Sequence, residues 1–359
     1  MTLSAWLFPL VLILLLSLQG CGDNTGNTVN TTIEVKWSKP TTVETPPALV
    51  HAEHAAAYDS INNRIIITWG KDASNFVGEV WELELLATGK VIWEKLVPSG
   101  QVIPNPRSDH TTVYDTHSKR LILFGGYSDQ GNSNETWEIN FTDDAVNGTW
   151  EKLTPLGEFP PARRGHTAIL DEQNNRMLVF GGWDGSTTYF DDTWNISLKT
   201  EGSEKWSQIS VDEKPSPRKG HTLVHDSANS RAILFGGWNG TDYLNDVWEL
   251  NWASGKEIWR KLSPGGSTPT SRSGHTAVYD PVNKRMIFFG GSTTEGRQND
   301  LWALDLSQSG KENWIKMTPT GEAPLDRDEH ITVYDSLSTR MIVYGGNGDS
   351  SGEVWQVEF

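Results

Sequence analysis

Cysteine is almost absent from this chain, since Cys21 is the only one among 359 residues, and a single cysteine excludes an intramolecular disulfide. Basic residues are also few: 30 Lys and Arg stand against 46 Asp and Glu, giving a formal net charge of −16. That balance argues against nucleic acid as a partner, because such affinity comes largely from Lys and Arg that neutralise phosphates. The chain also lacks a phosphate-binding loop, a nucleophile elbow, a zinc-binding motif and any sustained helical period.

One long apolar run is present, and it lies near the N-terminus. It extends from Ala5 to Leu18, about 14 residues, which is shorter than the roughly 20 of a membrane-spanning helix and typical of a signal peptide. The letters LQGC, ending at Cys21, follow it and resemble the lipobox of bacterial lipoproteins. The resemblance implies a signal peptide over residues 1–20, a lipid on Cys21 and, with Gly22 next, sorting to the outer membrane. Ordinary secretion is the alternative, because Gln19 is less usual in a lipobox and no Lys or Arg precedes the run.

Residues 21–32 are small and polar, which predicts a flexible tether that reaches ~20 Å on average. The N-terminal features together predict an exported protein that is lipid-anchored in the bacterial cell envelope. We expect the lipid to be its only attachment to a membrane, and we expect a monomer.

The rest of the chain repeats one pattern six times. Six histidines recur at intervals of 54 to 56 residues: His54, His110, His166, His221, His275 and His330. An aspartate follows each histidine after five residues and an arginine after ten, and an apolar run, a glycine pair and a tryptophan come next. In repeat 1 the first glycine of the pair is replaced by Trp69. The repeats start near residues 50, 106, 162, 217, 271 and 326.

Each repeat predicts four β-strands. Its segments are rich in β-branched and aromatic residues and are bounded by turn formers, and the run before the glycines is apolar throughout, as in a strand buried on both faces. This pattern resembles the kelch repeat, whose copies form the blades of a β-propeller. The resemblance covers residues 33–359 and implies an all-β, six-bladed kelch propeller.

The segment IEVKWSKP, from Ile33 to Pro40, resembles the fourth strand of a repeat but precedes all six repeats. The sixth repeat has no fourth segment of its own, because only four residues follow Trp355. We therefore predict that the N-terminal strand completes the last blade, which would remove the exposed edges of an open ring.

Departures from the repeat are the candidates for function, because a side chain needed six times is expected to belong to the scaffold. In kelch propellers the loops after the glycine pair and before the first strand surround the channel mouth, which is the usual binding face. The residue after the glycine pair is aromatic in three adjacent blades: Tyr127, Trp183 and Trp238. These rings could stack on a sugar or a peptide side chain; alternatively they cover loops.

Basic residues also mark this face. Arg107, Arg163, Arg218, Arg272 and Arg327 recur three residues before the repeat histidine, and His51 takes that place in the first repeat. The five arginines are expected to pin the loops between blades, but kelch relatives that bind acidic peptides use arginines near the mouth. Arg164 and Lys219 add unrepeated positive charge there. An anionic ligand is therefore expected to suit the mouth despite the net negative charge.

Glu322, Asp326 and His330 have the spacing E-x-x-x-D-x-x-x-H, which resembles the iron-binding triad of plant nitrile-specifier kelch proteins. Carboxylate oxygens with one imidazole suit Fe(II) or Mn(II). An ordinary loop is the alternative, because two of the three residues recur in other repeats. Outside this triad we expect no cofactor.

The pattern favours a non-catalytic module that binds a protein, peptide or glycan at the mouth. A sugar-modifying enzyme, such as a mutarotase, is the second hypothesis, with Glu53, Asp109, Asp328 and Glu329 as acid–base candidates. An Fe(II)-dependent specifier-like activity is the third. Unrepeated carboxylates that converge with perturbed pKa values would favour the enzyme over the binding module.

Overall fold

The computed structural model describes residues 35–44, 47, 52–72, 75–141, 147–200, 202–349 and 351–359. The predicted signal peptide, the tether, Cys21 and His51 lie outside these residues. The chain divides into two units, Met1–Ile33 and Glu34–Phe359, and all the described structure belongs to the second.

The described residues form six sheets of four or five strands, one for each sequence repeat, and three small two-stranded sheets, without an α-helix. A single 3₁₀ turn covers Ser227–Asn229. In this part of the chain no helix is long and apolar enough to cross a membrane. Each of the six larger sheets, or blades, contains four antiparallel main strands. They are Ala55–Asp59, Arg64–Thr68, Val80–Leu85 and Lys90–Leu96 in blade 1; Thr111–Asp115, Arg120–Phe124, Thr136–Asn140 and Thr149–Leu153 in blade 2; Thr167–Asp171, Arg176–Phe180, Thr193–Ser197 and Lys205–Ile209 in blade 3; Thr222–Asp226, Arg231–Trp238, Tyr243–Asn251 and Ile258–Leu262 in blade 4; Thr276–Asp280, Arg285–Phe289, Leu301–Asp305 and Asn313–Met317 in blade 5; and Ile331–Asp335, Arg340–Tyr344, Trp355–Glu358 and Lys36–Ser38 in blade 6.

Short strands extend this plan. A parallel fifth strand joins blades 1, 3 and 5: Thr41–Val43, Leu156–Gly157 and Gly265–Gly266. Small hairpins follow the glycine position in blades 1, 2 and 5: Lys71–Asp72 with Asn75–Phe76, Tyr127–Ser128 with Gly131–Asn132, and Ser292–Thr293 with Gly296–Arg297.

The first strands of neighbouring blades contact one another around a closed circle, from blade 1 through blade 6 and back to blade 1. They line a central cavity of about 240 Å³. The second strands are buried on both faces, as in blade 2, where Leu121, Ile122, Leu123 and Phe124 have no exposed surface. The continuous apolar runs in the sequence follow from that double burial, and the six-bladed propeller is confirmed.

The N-terminal strand closes the ring as predicted, although the strand itself covers only Lys36–Ser38. It pairs with the last strand in the register Lys36 to Glu358, Trp37 to Val357 and Ser38 to Gln356. Trp37 is 3% exposed, and its ring meets Phe289 of blade 5 edge-on at 5.1 Å between centroids. The fourth strand of the last blade therefore comes from the opposite end of the chain.

The repeated charged residues hold each blade together. In all six blades the arginine that starts the second strand donates from Nε to the aspartate that ends the first, at 2.8 to 3.1 Å. Five of the repeated histidines bond through Nε2 to a threonine hydroxyl of the preceding blade, at 2.7 to 3.0 Å. Burial and the neighbouring Arg163 lower the pKa of one of them, His166, to about 3. Neutral imidazoles and buried ion pairs are thus parts of the scaffold.

Candidate functional site

The mouth of the channel is framed by the residue that precedes each repeated histidine. All six of these residues have positive φ, between 53° and 68°. They form a closed circle of backbone hydrogen bonds, in which each N–H donates to the carbonyl oxygen of the preceding member at 2.7 to 3.1 Å. The members in order are Glu53, Asp109, Gly165, Gly220, Gly274 and Glu329. This ring holds the mouth rigid.

Three of the six residues in this circle of backbone hydrogen bonds are acidic. Glycine is the residue suited to positive φ, yet blades 6, 1 and 2 place Glu329, Glu53 and Asp109 there, a strained choice of the kind that concentrates at functional sites. The three carboxylates border a cavity of about 160 Å³ that is also lined by the repeated histidines. The fold does not require them, because the other three blades form the same turn with glycine.

Crowding changes the protonation of these carboxylates. Burial and the charge of Glu53 raise the pKa of Asp109 to about 6. Burial, with the charges of Asp109 and Glu53, raises the pKa of Glu329 to about 8. Lys71 Nζ lies 2.5 Å from Glu53 Oε1, and the Asn347 side-chain amide donates to Glu329 at 3.0 Å. Both carboxyl groups therefore hold a proton more tightly than an isolated acid, because each is buried near other negative charges.

Blades 2 to 4 carry a ladder of aromatic rings and cations. The Arg164 guanidinium carbon lies 4.2 Å from the ring centroid of Tyr127 and 4.6 Å from that of Trp183. Lys219 Nζ lies 4.7 Å from the Trp183 ring, and Tyr189 stacks beside that ring at 5.8 Å. Tyr127 and Trp183 thus lie in one row across neighbouring blades, with the protein's own cations Arg164 and Lys219 against their rings.

Trp238 has a different setting, because it forms one wall of an open cleft over blade 5. Around the mouth, blade 5 has the smallest side chains of the six: Ser273 and Gly274 before its histidine and Ser292 after its glycine pair. These small residues leave a cavity of about 250 Å³ between Trp238, Tyr243 and Lys219 on blade 4 and Asp328 and Glu329 on blade 6. This cavity, lined by the eight residues just named, is the blade-5 cleft.

The walls of the blade-5 cleft offer several kinds of contact. Tyr243 meets Trp238 edge-on at 4.9 Å between centroids, which fixes the indole. The Ser292 hydroxyl donates to Asp328 Oδ2 at 2.6 Å, whereas Asp328 Oδ1 is buried without a hydrogen-bond partner in the described structure. The cleft thus combines an aromatic wall, hydroxyls, a cation and a buried acceptor that is not satisfied.

Comparisons with known proteins agree with this architecture. A family model described as KLHDC2/KLHL20/DRC7 Kelch-repeats domain matches residues 141–263 and 254–357, and one described as Attractin/LZTR1 beta-propeller matches residues 26–193. Kelch domain-containing protein 2 of Bos taurus is 30% identical over 335 residues, which cover 82% of this chain and 75% of that protein. The chain belongs to the kelch-repeat family.

Two further relatives match over smaller shares of their own length, and one solved structure matches over almost all of its chain. An F-box/kelch-repeat protein of Arabidopsis thaliana is 30% identical over 286 residues, 72% of this chain and 57% of that protein. Host cell factor 1 of Homo sapiens is 28% identical over 271 residues, 71% of this chain but 12% of that protein. The solved structure of YjhT aligns with a TM-score of 0.63 at 18% identity, covering 88% of this chain and 95% of that one, which shows the shared fold. Kelch propellers are common protein-binding modules.

In this kelch propeller the five repeated arginines lie beneath the mouth. Arg107, Arg163, Arg218, Arg272 and Arg327 are at most 2% exposed. Each donates from Nη1 to the carbonyl oxygen of the first glycine of its blade's pair, at 2.7 to 3.1 Å, and each reaches a carboxylate on the same blade. They pin loops, as one of the two hypotheses expected, and offer no surface to a ligand.

The proposed metal triad does not assemble. His330 bonds through Nε2 to Thr276, whereas Glu322 has a side chain that is 77% exposed and lies 3.6 Å from Lys39 on the outer strand. Asp326 is exposed as well. Among all the described residues, no three His, Cys, Asp or Glu side chains are placed to hold a metal ion. The spacing looked like a motif, but these residues lie in an irregular connection that does not bring the side chains together.

Sequence reasoning missed the blade-5 cleft. Ser273, Gly274 and Ser292 carry no distinctive chemistry, so a search for unusual functional groups passes over them. Aligning the six repeats column by column would have found them, because blade 5 alone is small in all three mouth columns. Tyr243 was missed because it lies beyond the aligned motif.

Glu329→Gln should flatten the dependence of stability on pH between about 4.5 and 8. The pKa of Glu329 rises from 4.5 to about 8 on folding, so the folded state binds this proton more tightly and loses stability as pH increases through that range. Glutamine removes the titration. Urea unfolding at a series of pH values measures the slope, with the exposed Glu322→Gln as the matched control. If both variants keep the wild-type slope, the crowding of carboxylates at the mouth is refuted.

Proposed function

We propose that this protein is a binding module whose mouth holds a protein, peptide or glycan ligand, with one polar residue of that ligand seated in the blade-5 cleft. The blade-5 cleft itself is the observation that carries the proposal. It lies on the face that binds ligands in kelch propellers and is the place where the mouth departs most from the repeat. Its volume of about 250 Å³ suits a single sugar ring or a polar side chain.

The lining chemistry favours a ligand that carries hydroxyl or amide groups. Trp238 presents an apolar wall, and the Ser273 and Ser292 hydroxyls lie in the lining together with the Asp328 carboxylate. Lys219 supplies a donor for an anionic or carbonyl group. The lining is more polar than apolar, so hydrogen bonds rather than apolar burial would hold and orient the ligand.

Trp238→Ala should weaken ligand binding by roughly tenfold to a hundredfold, because buried aromatic anchors at binding sites are commonly worth about 2 kcal/mol or more. Glycan and peptide arrays screened with the full chain identify the ligand, and calorimetry measures its affinity. Tyr127→Ala is the matched control, since that ring lies on blade 2 and is 37% exposed, away from the cleft. Equal affinities for Trp238→Ala and the parent protein would remove the cleft from the function.

The cluster of Glu53, Asp109 and Glu329, with raised pKa values of Asp109 and Glu329, meets the criterion stated above for an enzyme and favours a second candidate, an acid–base reaction on a sugar. Binding stays the first candidate because kelch propellers are common protein-binding modules. A protonated Glu329 could donate a proton to a ring oxygen while ionised Asp109 accepts one from a hydroxyl. Nuclear magnetic resonance of purified sugar anomers tests whether the protein accelerates their interconversion, and Glu329→Gln should abolish any acceleration. An unchanged rate with a range of sugars would leave binding alone. The Fe(II) hypothesis is not retained, because its three residues do not converge.

We also propose that the chain is exported and anchored in the bacterial envelope through Cys21, on the strength of its LQGC segment. Labelled fatty acid should enter the expressed chain, and Cys21→Ser should prevent it. Equal labelling of both chains would exclude acylation at this residue.

A further inference from the structure

The face opposite the mouth, here called the lower face, carries an asymmetric set of apolar turn residues. Each first strand ends in an aspartate, and the second residue after it occupies the tip of the turn. On blades 1, 5 and 6 that tip residue is Ile61, Val282 or Leu337, and these side chains are 53%, 65% and 69% exposed. On blades 2, 3 and 4 it is His117, Gln173 or Ala228. Since the ring is closed, blades 5, 6 and 1 are consecutive.

These three side chains, the apolar tips, are held outward by the scaffold. The backbone N–H of each apolar tip donates to the carboxylate of the preceding aspartate, and all three bonds measure 3.1 Å. That aspartate is in turn bound by the repeated arginine. The turn tolerates His117 and Gln173 on other blades, so the fold does not demand apolar residues there. Their exposure therefore points to a partner surface.

The strand register places the N-terminal entry of the propeller beside the apolar tips. In blade 6, Asp335 pairs with Arg340, Arg340 with Glu358, and Glu358 with Lys36, so these residues form one row across the sheet. Leu337 follows Asp335 by two residues. Val35 thus enters at the lower end of blade 6, the middle one of the three apolar blades. The 34 residues that precede it in the sequence include the apolar run from Ala5 to Leu18.

We propose that the lower face of blades 5, 6 and 1 rests on a lipid bilayer, with Ile61, Val282 and Leu337 in its interfacial layer and the mouth turned away from it. The inference rests on the envelope anchoring proposed above, and its choice of face rests on the point where the chain enters the propeller, at the lower end of blade 6. A single attachment gives a weak hold on a membrane, and a second contact with apolar side chains strengthens and orients it. The contact leaves the blade-5 cleft open to a ligand and does not depend on what that ligand is.

The test uses the chain purified with its lipid on Cys21, so that the introduced cysteine is the only free thiol and the anchor on which the inference rests is present. Single cysteines at Ile61, Val282 or Leu337 are labelled with a bimane fluorophore. The protein is then added to vesicles of phosphatidylethanolamine and phosphatidylglycerol whose acyl chains carry bromine, a short-range quencher. All three labels should lose fluorescence on these vesicles and keep it on unbrominated ones.

Two matched positions make the result decisive. Gln173→Cys occupies the same turn position on blade 3, and Tyr127→Cys lies at the mouth. We expect the label at Tyr127 to keep its fluorescence and the label at Gln173 to be quenched less than those at the apolar tips. Three unquenched apolar tips, failure of the chain to bind vesicles, or equal quenching at Gln173 or Tyr127 would each overturn the proposal. Melting curves of the cysteine variants check that all of them fold.

Discussion

Deletion of residues 33–40 should lower the free energy of unfolding by at least about 4 kcal/mol, since loss of a buried tryptophan alone costs about 3–5 kcal/mol. The deletion removes the outer strand of blade 6, three residue pairs with the last strand, and Trp37 from its place against Phe289. It also removes two contacts of Lys39 with blade 6: a cation–π contact of Nζ with the Trp355 ring at 4.4 Å and an ion pair with Glu353 at 2.9 Å. Urea unfolding followed by tryptophan fluorescence measures the loss.

The deleted chain should also associate, because the last strand becomes an unpaired edge. Trp37→Ala should have an intermediate effect, since it keeps the strand but leaves a cavity. The control changes Thr41, Thr42 and Val43 to glycine in the short exposed fifth strand of blade 1, and this variant should stay within about 1 kcal/mol of the parent, as is usual for surface changes. A deletion variant that unfolds at the same urea concentration as the parent would refute ring closure as a source of stability.

Arg120→Met should cost about 3–5 kcal/mol, the usual penalty for breaking a buried ion pair from one side. Arg120 has no exposed surface and lies within 2.8 to 3.1 Å of three carboxylates, on Asp115, Glu138 and Glu204. Glu204 belongs to blade 3, so the cluster also joins two blades. Burial raises the pKa of Glu138 even with Arg120 present, and the arginine opposes that rise. Without the cation, three buried carboxylates face one another.

The pH dependence of this loss has a defined sign. In Arg120→Met the pKa of Glu138 should lie still further above its unfolded-state value, because burial then acts without the opposing cation, so protonation favours the folded state and the destabilisation should shrink as pH falls. Arg260→Met is the control, because Arg260 is 51% exposed and pairs with Glu249 at 3.2 Å, an arrangement worth about 0–1 kcal/mol. Equal losses of stability in the two variants at neutral pH would contradict the prediction that burial of the Arg120 ion pairs makes them more important than the exposed Arg260 pair.

The fold could be predicted from the sequence because each blade uses the same residues for the same contacts. The aspartate–arginine pair recurs in all six blades because the same turn recurs, and the glycine pair and the histidine–threonine bond recur in five. Ring closure was also predictable, because the missing fourth strand at one end and the surplus strand at the other are both visible in the sequence. The short range of the closing strand, Lys36–Ser38, was not, since strand ends depend on pairing geometry.

The candidate site was predictable only in part. The sequence identified Tyr127, Trp183, Trp238, Arg164 and Lys219 as unrepeated residues of one face. It did not reveal that Arg164 lies between two of the rings, or that Trp238 alone borders an open cleft. It also suggested a metal triad from spacing along the chain.

By itself, then, the sequence determined the architecture: six blades, their order, and the closure of the last one by the first strand. Tertiary structure alone decided the details of the mouth, namely which carboxylates crowd together and raise one another's pKa, which rings lie against cations and where the cleft opens. The physical reason is distance along the chain. Contacts within a blade join residues that repeat a local pattern, whereas the mouth is built from side chains about 55 residues apart, one blade from the next, whose separation is set by the closed ring.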